Sequence, residues 1–201
     1  MSSEERDEDI VRRCVGGDRA AFAILVERHE RRVYNLALRV TGREEDARDA
    51  TQEAFLTALR KLSTFRGEAA FTTWLHRVTV NACYDLLRKQ RREPALDRLP
   101  EHEPEPPPSP NHADATDLSI DVQRALLEVP PDYRVAMILH DVQDLPYEEV
   151  ARIVGVPVGT VKSRLHRGRV ALARALGVSV RPESDRERPD AAEPSDGTRS
   201  R

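Results

Sequence analysis

The sequence is poor in the residues that build a large core or hold a metal ion. Aromatic residues make up 4% of the 201 residues, and 39% are hydrophobic against 33% charged. A chain this polar favours small helical units over one large core. It has two cysteines, Cys14 and Cys83, which excludes a disulfide framework and a cysteine-rich zinc site. No apolar run is long enough to span a bilayer, and the acidic start Met1–Asp9 is unlike a secretory signal. We therefore expect a cytoplasmic protein without membrane insertion.

Motifs for enzymatic chemistry are also missing from the sequence. There is no glycine-rich phosphate loop and no serine in a nucleophile elbow. None of the 6 histidines belongs to an HExxH motif or to a Cys/His cluster at metal-ligand spacing. These observations predict a protein that is not an enzyme and that needs no cofactor and no metal.

Proline and charge divide the chain. None of the 14 prolines precedes Pro94, and residues 94–110 hold a proline-rich run that breaks helices. Residues 99–117 contain acids but no lysine or arginine. We predict an all-α fold of two small helical domains, residues 7–92 and 116–177. A flexible, acidic, Pro-rich linker at 93–115 joins them, and a disordered tail covers 178–201.

Apolar periodicity and capping signals predict four helices in each domain. In the first domain they are Glu8–Val15, a helix from the Asp18 cap to Gly42, Arg43–Leu62 and Phe71–Gln90. In the second they are Asp117–Glu128, Asp132–Asp141, Tyr147–Val154 and Val158–Leu176.

The strongest functional motif is a helix, a glycine-containing turn and an acid-free basic helix at Leu145–Leu172. This order is typical of a helix-turn-helix, whose second helix enters the major groove of DNA. Helical rotation places Val161 and Leu165 toward the domain and the opposite face toward DNA. That face assigns Ser163, His166 and Arg167 to base edges and Lys162, Arg164 and Arg169 to phosphates, with Lys162 also within reach of a base. The alternative is a solvated charged helix in an ordinary bundle.

A second motif covers Phe65–Arg92. Cations, an amide and a ring form one polar stripe, namely Arg77, Asn81, Tyr84 and Arg88, which suits a nucleic-acid backbone with unstacked bases. Phe65 and Phe71 flank a loop from which rings could stack on a displaced base. Phe71 and Trp74 also lie at core spacing, which favours packing over base contact. Val80 and Leu87 point outward on the same helical wheel, and spacing alone does not explain them.

The third candidate surface lies on the third predicted helix. Asp49, Gln52, Glu53 and Leu56 face away from an alanine stripe. An exposed leucine rimmed by acids and an amide suits docking onto a basic partner. A solvated face with one stray leucine explains the same pattern equally well.

Three segments together resemble the group IV, extracytoplasmic-function sigma factors of the sigma-70 family. The resemblance rests on DARDATQEAFLTALRKL for region 2.2, FRGEAAFTTWLHRVTVNACYDLLRKQRR for regions 2.3 and 2.4, and LPYEEVARIVGVPVGTVKSRLHRGR for region 4.2. Order and spacing follow the family, and regions 1.1 and 3 of larger sigma factors have no counterpart. The arginine and alanine content is similar to that of actinobacterial members.

The resemblance implies a role for each surface. Region 2.2 implies docking of Asp49, Gln52, Glu53 and Leu56 on the β′ clamp of the RNA polymerase core, whose β flap is a further expected contact. Regions 2.3 and 2.4 imply melting and reading of the −10 element through Phe65, Phe71, Trp74, Arg77, Asn81 and Arg88. Region 4.2 implies reading of the −35 element as duplex through Lys162, Ser163, Arg164, His166, Arg167 and Arg169.

The resemblance also implies how such a factor is controlled. Polymerase binding would separate the two domains and set their spacing, and a cognate anti-sigma factor would cover the docking surfaces. The composition of the linker argues against a rigid interface between the domains. Two other functions fit parts of the sequence. A stand-alone helix-turn-helix regulator would use only residues 145–176, and a helical adaptor would have no DNA role.

Overall fold

The computed structural model describes residues 5–92 and 120–178, and within these ranges the chain forms eight α-helices and no strand. They are α1 Asp7–Val15, α2 Phe22–Thr41, α3 Glu44–Lys61, α4 Phe71–Arg92, α5 Ile120–Glu128, α6 Pro131–Met137, α7 Tyr147–Val154 and α8 Val158–Ala175. The predicted all-α fold is confirmed. The predicted linker at 93–115, residues 116–119 and all of the predicted tail except Val178 lie outside the described residues.

Two predicted helices differ from the structure near one end. Asp18 does cap a helical turn, since its carboxylate accepts a hydrogen bond from the Ala21 amide at 3.2 Å. That turn is a 3-10 segment, Arg19–Ala21, and α2 begins after it. The sixth predicted helix is α-helical only as far as Met137, and a π-helical turn, Ile138–Val142, follows. Such turns are rare and often lie at functional sites.

The first domain packs α1 to α4 around a core that includes Leu25, Phe71 and Leu75. The alanine face of α3 lies against both α2 and α4, with Ala47, Ala50, Ala54 and Ala58 at 0–1% exposure. Small side chains on this face let α3 approach two neighbours closely. The face opposite these alanines therefore points to solvent, as the sequence predicts.

The second domain holds the predicted helix-turn-helix. Val150 and Ile153 on α7 and Val161 and Leu165 on α8 are buried and fix the angle between the two helices. Gly168 on α8 lies directly against α6, where a Cβ atom would be 2.5 Å from Met137 Sδ. A larger residue at this position would require Met137 to move, so the close crossing of α6 and α8 favours glycine here.

The two domains share one apolar cluster. It joins Leu36, Val40 and Val80 of the first domain to residues of the second, such as Val129 and Ile138. Helix α4 packs against α7, and α2 contacts α5 and α6. Val80 is 1% exposed and Leu87 packs at the edge of the cluster, which accounts for the outward apolar positions on α4. The linker composition argued against a rigid interface, yet the structure packs the two domains together, because α4 has a second apolar stripe that the second domain covers.

A buried arginine connects the domains by hydrogen bonds. Arg134 of α6 is 6% exposed, and its Nη1 donates to the carbonyl of Val40 at 2.5 Å. Its Nη2 donates to the carbonyls of Leu127 at 2.5 Å and Val129 at 3.0 Å. These carbonyls lie at or just beyond the C-terminal ends of α2 and α5, where helical carbonyls lack partners and a cation is favoured. One side chain therefore caps helices of both domains.

The turn after α2 also depends on the domain contact. Gly42 ends α2 with φ +81°, and a Cβ atom there would lie 2.4 Å from a methyl carbon of Leu127. Any side chain at this position would strain the backbone and would also clash with Leu127 of the second domain.

We predict that Gly42→Ala destabilises the protein more than Gly67→Ala does. Gly67 has a similar φ of +71° but nothing within 4 Å of its Cβ position, so it isolates the backbone cost of about 1–2 kcal/mol. Gly42→Ala should add overpacking against Leu127, worth about 1–3 kcal/mol. Chemical denaturation of both variants gives the difference, and equal losses would contradict the close packing at Leu127.

Candidate nucleic-acid and docking surfaces

Helix α8 presents its predicted DNA-facing side to solvent. Lys162, Ser163, His166 and Arg167 are all exposed, while Val161 is 0% and Leu165 is 2% exposed. The helical rotation derived from the sequence therefore predicts the buried and exposed faces of α8 correctly. The exposed side carries hydrogen-bond donors and cations suited to base edges and phosphates.

Two arginines assigned to phosphates are already paired with acids of the same domain. Arg164 Nη2 lies 3.2 Å from Asp132 Oδ2 of α6. Arg169 donates to Asp141 of the π turn, with Nη2 2.6 Å from Oδ1, and this hydrogen bond raises the pKa of Arg169. The sequence shows α8 as acid-free, and it misses these acids because they lie 28–32 residues away. On DNA each arginine would exchange a carboxylate for a phosphate, and the exposed Arg169–Asp141 pair contributes only about 0–1 kcal/mol.

The recognition helix has an aromatic neighbour that the sequence did not single out. Lys162 Nζ lies over the Tyr147 ring, 5.5 Å from its centroid. Tyr147 also stacks on His140, with ring centroids 4.4 Å apart at an angle of 34°. The only sequence signal was the position of Tyr147 at the start of α7.

The polar stripe on α4 divides at the domain boundary. Arg77, Asn81 and Arg88 are exposed, and Arg88 Nη1 lies 3.2 Å from Asp85 Oδ1 on the same helix. Tyr84 is instead half-buried beside the second domain, and its hydroxyl has no solvent access. Burial, with Asp132 of α6 nearby, raises the pKa of Tyr84. Tyr84 therefore faces the second domain in this structure rather than an open nucleic-acid surface.

The three rings proposed for the −10 element form one cluster. The centroid distances are 5.7 Å for Phe65 to Phe71, 5.8 Å for Phe65 to Trp74 and 5.7 Å for Phe71 to Trp74. Phe71 is 1% exposed and belongs to the core of the first domain, whereas Phe65 and Trp74 are half-buried. The buried ring of Phe71 thus packs against Phe65 and Trp74, and only Phe65 and Trp74 reach the surface in this conformation.

The α3 face forms a ridge between two grooves. Asp49, Gln52, Glu53 and Leu56 are exposed, and Leu56 at 45% lines both grooves. The α2–α3 groove, about 680 Å³, is mainly apolar and includes Leu59, which is 45% exposed although the helical spacing did not predict it on the surface. The α3–α4 groove, about 650 Å³, is lined by acids such as Asp49 and Asp85. Hydrogen bonds from Thr57 and Arg60 lower the pKa of Glu53, so this carboxylate is charged.

The remaining reactive groups do not form a site. Within residues 5–92 and 120–178 no three His, Cys, Asp or Glu side chains are placed to hold a metal ion. Burial lowers the pKa of His76 to about 4 and raises that of Cys83 to about 12, so both are neutral near pH 7.

No helix in the described part of the chain is long and apolar enough to span a bilayer.

The structure thus combines a helical bundle that has a polar stripe on α4 with a second helical domain that exposes the basic helix of a helix-turn-helix. Residues 25–93 match the family model of Sigma-70 region 2, and residues 119–172 match that of Sigma-70, region 4. Among curated proteins, the chain is 40% identical over 174 residues to the ECF RNA polymerase sigma factor SigM of Mycobacterium tuberculosis strain H37Rv, covering 87% of this chain and 86% of SigM. It is 37% identical over 191 residues to the ECF RNA polymerase sigma-E factor of Escherichia coli K12, covering 90% of this chain and all of that protein.

A solved structure has a similar fold. The sigma factor RpoE of Bartonella quintana, in complex with the anti-sigma factor NepR, matches with a TM-score of 0.64 and 27% identity. The match covers 79% of this chain and 98% of that one. The chain belongs to the extracytoplasmic-function sigma factors of the sigma-70 family, as the resemblance implied, and it is a transcription initiation factor. A stand-alone regulator does not account for the match across the first domain.

Proposed function

We propose that this protein works in the cytoplasm, without catalytic chemistry of its own, by joining core RNA polymerase to promoters through three separate surfaces. The observation that carries the proposal is α8, an acid-free helix that buries Val161 and Leu165 and exposes four polar residues on the other side. These four, Lys162, Ser163, His166 and Arg167, would read the −35 element in the major groove. Arg164 and Arg169 would hold phosphates after leaving Asp132 and Asp141.

The −10 element would be held by the first domain. Arg77, Asn81 and Arg88 line an exposed stripe that can follow a phosphate backbone. Phe65 and Trp74 present ring surfaces above the buried Phe71, so an unstacked base can pack on them. Capture of unpaired bases would offset the free energy needed to open the duplex.

Promoter reading by α8 predicts base-specific losses. Arg167→Ala and Lys162→Ala should each weaken recognition of the −35 element by about 1–3 kcal/mol, because a contact to a base edge is lost. Run-off transcription at limiting sigma, on promoters with an intact or a scrambled −35 element, measures the effect as a ratio.

Arg152→Ala is the matched control, since Arg152 is an exposed arginine on α7, outside the recognition helix. It should leave the ratio between the two promoters unchanged. Wild-type ratios for both α8 variants would disprove their assignment to base edges.

Polymerase docking through α3 predicts a loss of binding on charge reversal. Asp49→Arg combined with Glu53→Arg should abolish binding to the core enzyme and leave the helical content unchanged, since both side chains are exposed. Affinity for core polymerase and circular dichroism of the free protein provide the two measurements.

Exposed leucines give a further comparison on the apolar part of this surface. Leu56→Ser should weaken core binding, whereas Leu176→Ser should not, although the two leucines have similar exposure, 45% and 38%. Equal effects of the two serine variants would show that the α3 ridge is not the docking surface.

The closed arrangement of the two domains must open for this function. Tyr84 of the −10 stripe and Arg164 of the −35 helix both approach Asp132, so DNA-facing residues of both domains converge at the interface. The α3 ridge, by contrast, stays exposed while the domains are closed. Polymerase can therefore bind first through α3, and separation of the domains would follow.

A covalent lock between the domains should block this step. The Cβ position of Gly42 lies 3.0 Å from Leu127 Cγ, which is about the separation of a Cβ atom and the far sulfur across a disulfide. In a Cys14→Ser, Cys83→Ser background, Gly42→Cys with Leu127→Cys should form a disulfide. The oxidised protein should bind core enzyme but fail to initiate transcription, and a reducing agent should restore activity.

Gly42→Cys alone, in the same background, controls for strain at this turn and should respond to neither oxidant nor reductant. Full initiation by the cross-linked protein would show that the domains need not separate.

An anti-sigma factor is the further partner that these surfaces suit. The exposed α3 ridge and its two grooves are not covered by domain closure, so a separate protein would have to cover them to keep this factor off polymerase. Burial raises the pKa values of the Cys14 and Cys83 thiols, so neither is a reactive thiolate. The sensing of a signal would then lie in the partner.

A further inference from the structure

We propose that Tyr147, stacked on His140, is a positioning residue that aims Lys162 at the −35 element. Tyr147 is half-buried at the start of α7 and does not belong to the exposed face of α8. Lys162 Nζ lies over its ring, at 5.5 Å from the centroid, within the range of a cation–π interaction. Tyr147 thus acts on DNA through a neighbouring side chain rather than by touching a base.

The backbone before α7 holds this ring pair in place. His140 lies on the π turn, and its Nδ1 donates to the carbonyl of Leu145 at 2.8 Å, which fixes the plane of the imidazole. Asp144 between them has φ +54°, a conformation that non-glycine residues adopt rarely. Uncommon backbone geometry of this kind persists where the surrounding structure requires it. The π turn and the positive φ of Asp144 both lie in the short segment that places His140 against Tyr147.

The stack limits where Lys162 can go. A free lysine side chain samples many rotamers, and ordering it on a base costs conformational entropy. The first turn of α7 also carries Glu148 and Glu149. Without the contact to Tyr147, these carboxylates would attract the Lys162 ammonium away from the major groove of DNA. A ring face below Nζ favours one direction for the side chain in the free protein, so less freedom is lost on binding DNA.

The inference rests on the proposed reading of a base by Lys162, and its two parts can be tested separately. The chain contains only three lysines, Lys61, Lys89 and Lys162. In the full chain labelled with carbon-13 lysine, the Hε protons of Lys162 should be shifted upfield by the Tyr147 ring current relative to the other two lysines. The shift should remain in Tyr147→Phe, decrease in His140→Gln and vanish in Tyr147→Leu.

The second part is measured with the holoenzyme. Tyr147→Leu should lower discrimination between intact and substituted −35 elements by about two- to five-fold, the range of an exposed cation–π interaction. Tyr147→Phe should retain discrimination. In a Lys162→Met background Tyr147→Leu should have no further effect, because the two residues act as one unit. Tyr34→Leu, at a half-buried tyrosine of the first domain, should leave the ratio unchanged.

Three results would overturn the proposal. The first is an unshifted Lys162 signal in the wild-type chain. The second is an effect of Tyr147→Leu that is equal on both promoters or persists in Lys162→Met, since this indicates packing alone. The third is unchanged discrimination in Lys162→Met, in which case the assignment of Lys162 to a base is itself wrong even with a shifted signal. Thermal unfolding of Tyr147→Leu and His140→Gln separates these results from loss of the fold.

Discussion

The buried guanidinium of Arg134 sets the relation between the two halves of this protein. It is a cation placed among carbonyls rather than beside a carboxylate, and it donates to Val40 of one domain and to Leu127 and Val129 of the other. Hydrogen bonds from a charged donor contribute about 1.5–3 kcal/mol each, and carbonyls left without a donor in the interior are costly. The ends of α2 and α5 must therefore stay close to α6 for as long as Arg134 is buried. Any opening of the domains has to hydrate this group and the carbonyls that it caps.

Helix α4 carries the functional consequence of this constraint. One of its apolar stripes, with Leu75 and Val78, faces the core of the first domain, and another, with Val80, joins the shared cluster. The polar stripe proposed to contact DNA lies beside the apolar stripe that contains Val80. When the domains are closed, Tyr84 therefore packs beside the second domain and is not part of the exposed polar stripe. A helix used in this way cannot present its whole nucleic-acid face while the second domain covers it. In the proposed function, closure of the two domains and binding of DNA would therefore compete for the same surface of α4.

Periodicity predicted the features that depend on one helix, and it failed where two helices meet. The inside and outside of α8, the alanine face of α3 and the bounds of α7 followed from spacing and capping signals, because these are properties of local sequence. Asp132 and Asp141 were not expected beside α8, since their distance along the chain carries no signal of contact. The wheel for α4 assumed a single buried face, and so Val80 and Leu87 had no explanation. Phe71 was correctly seen to lie at core spacing, but its support of Phe65 and Trp74 needed the tertiary structure.

The charge pattern explains how a protein of net charge −3 can be a DNA-binding factor. Acids of α6 and the π turn pair with Arg164 and Arg169, which leaves Lys162 and Arg167 as the exposed cations without an acid partner, among the described residues, on the face proposed to read the −35 element. Binding to non-specific DNA depends on the number of phosphates that the protein neutralises. Pairing of these arginines with acids would therefore weaken non-specific binding more than specific binding, because base contacts add affinity only on specific DNA. Under the proposed function, specific DNA would add base contacts, and polymerase would hold the two domains at a fixed distance. This would raise the effective concentration of the second site once the first is bound. In the proposed function, selectivity for promoters would therefore arise because each domain binds DNA weakly on its own.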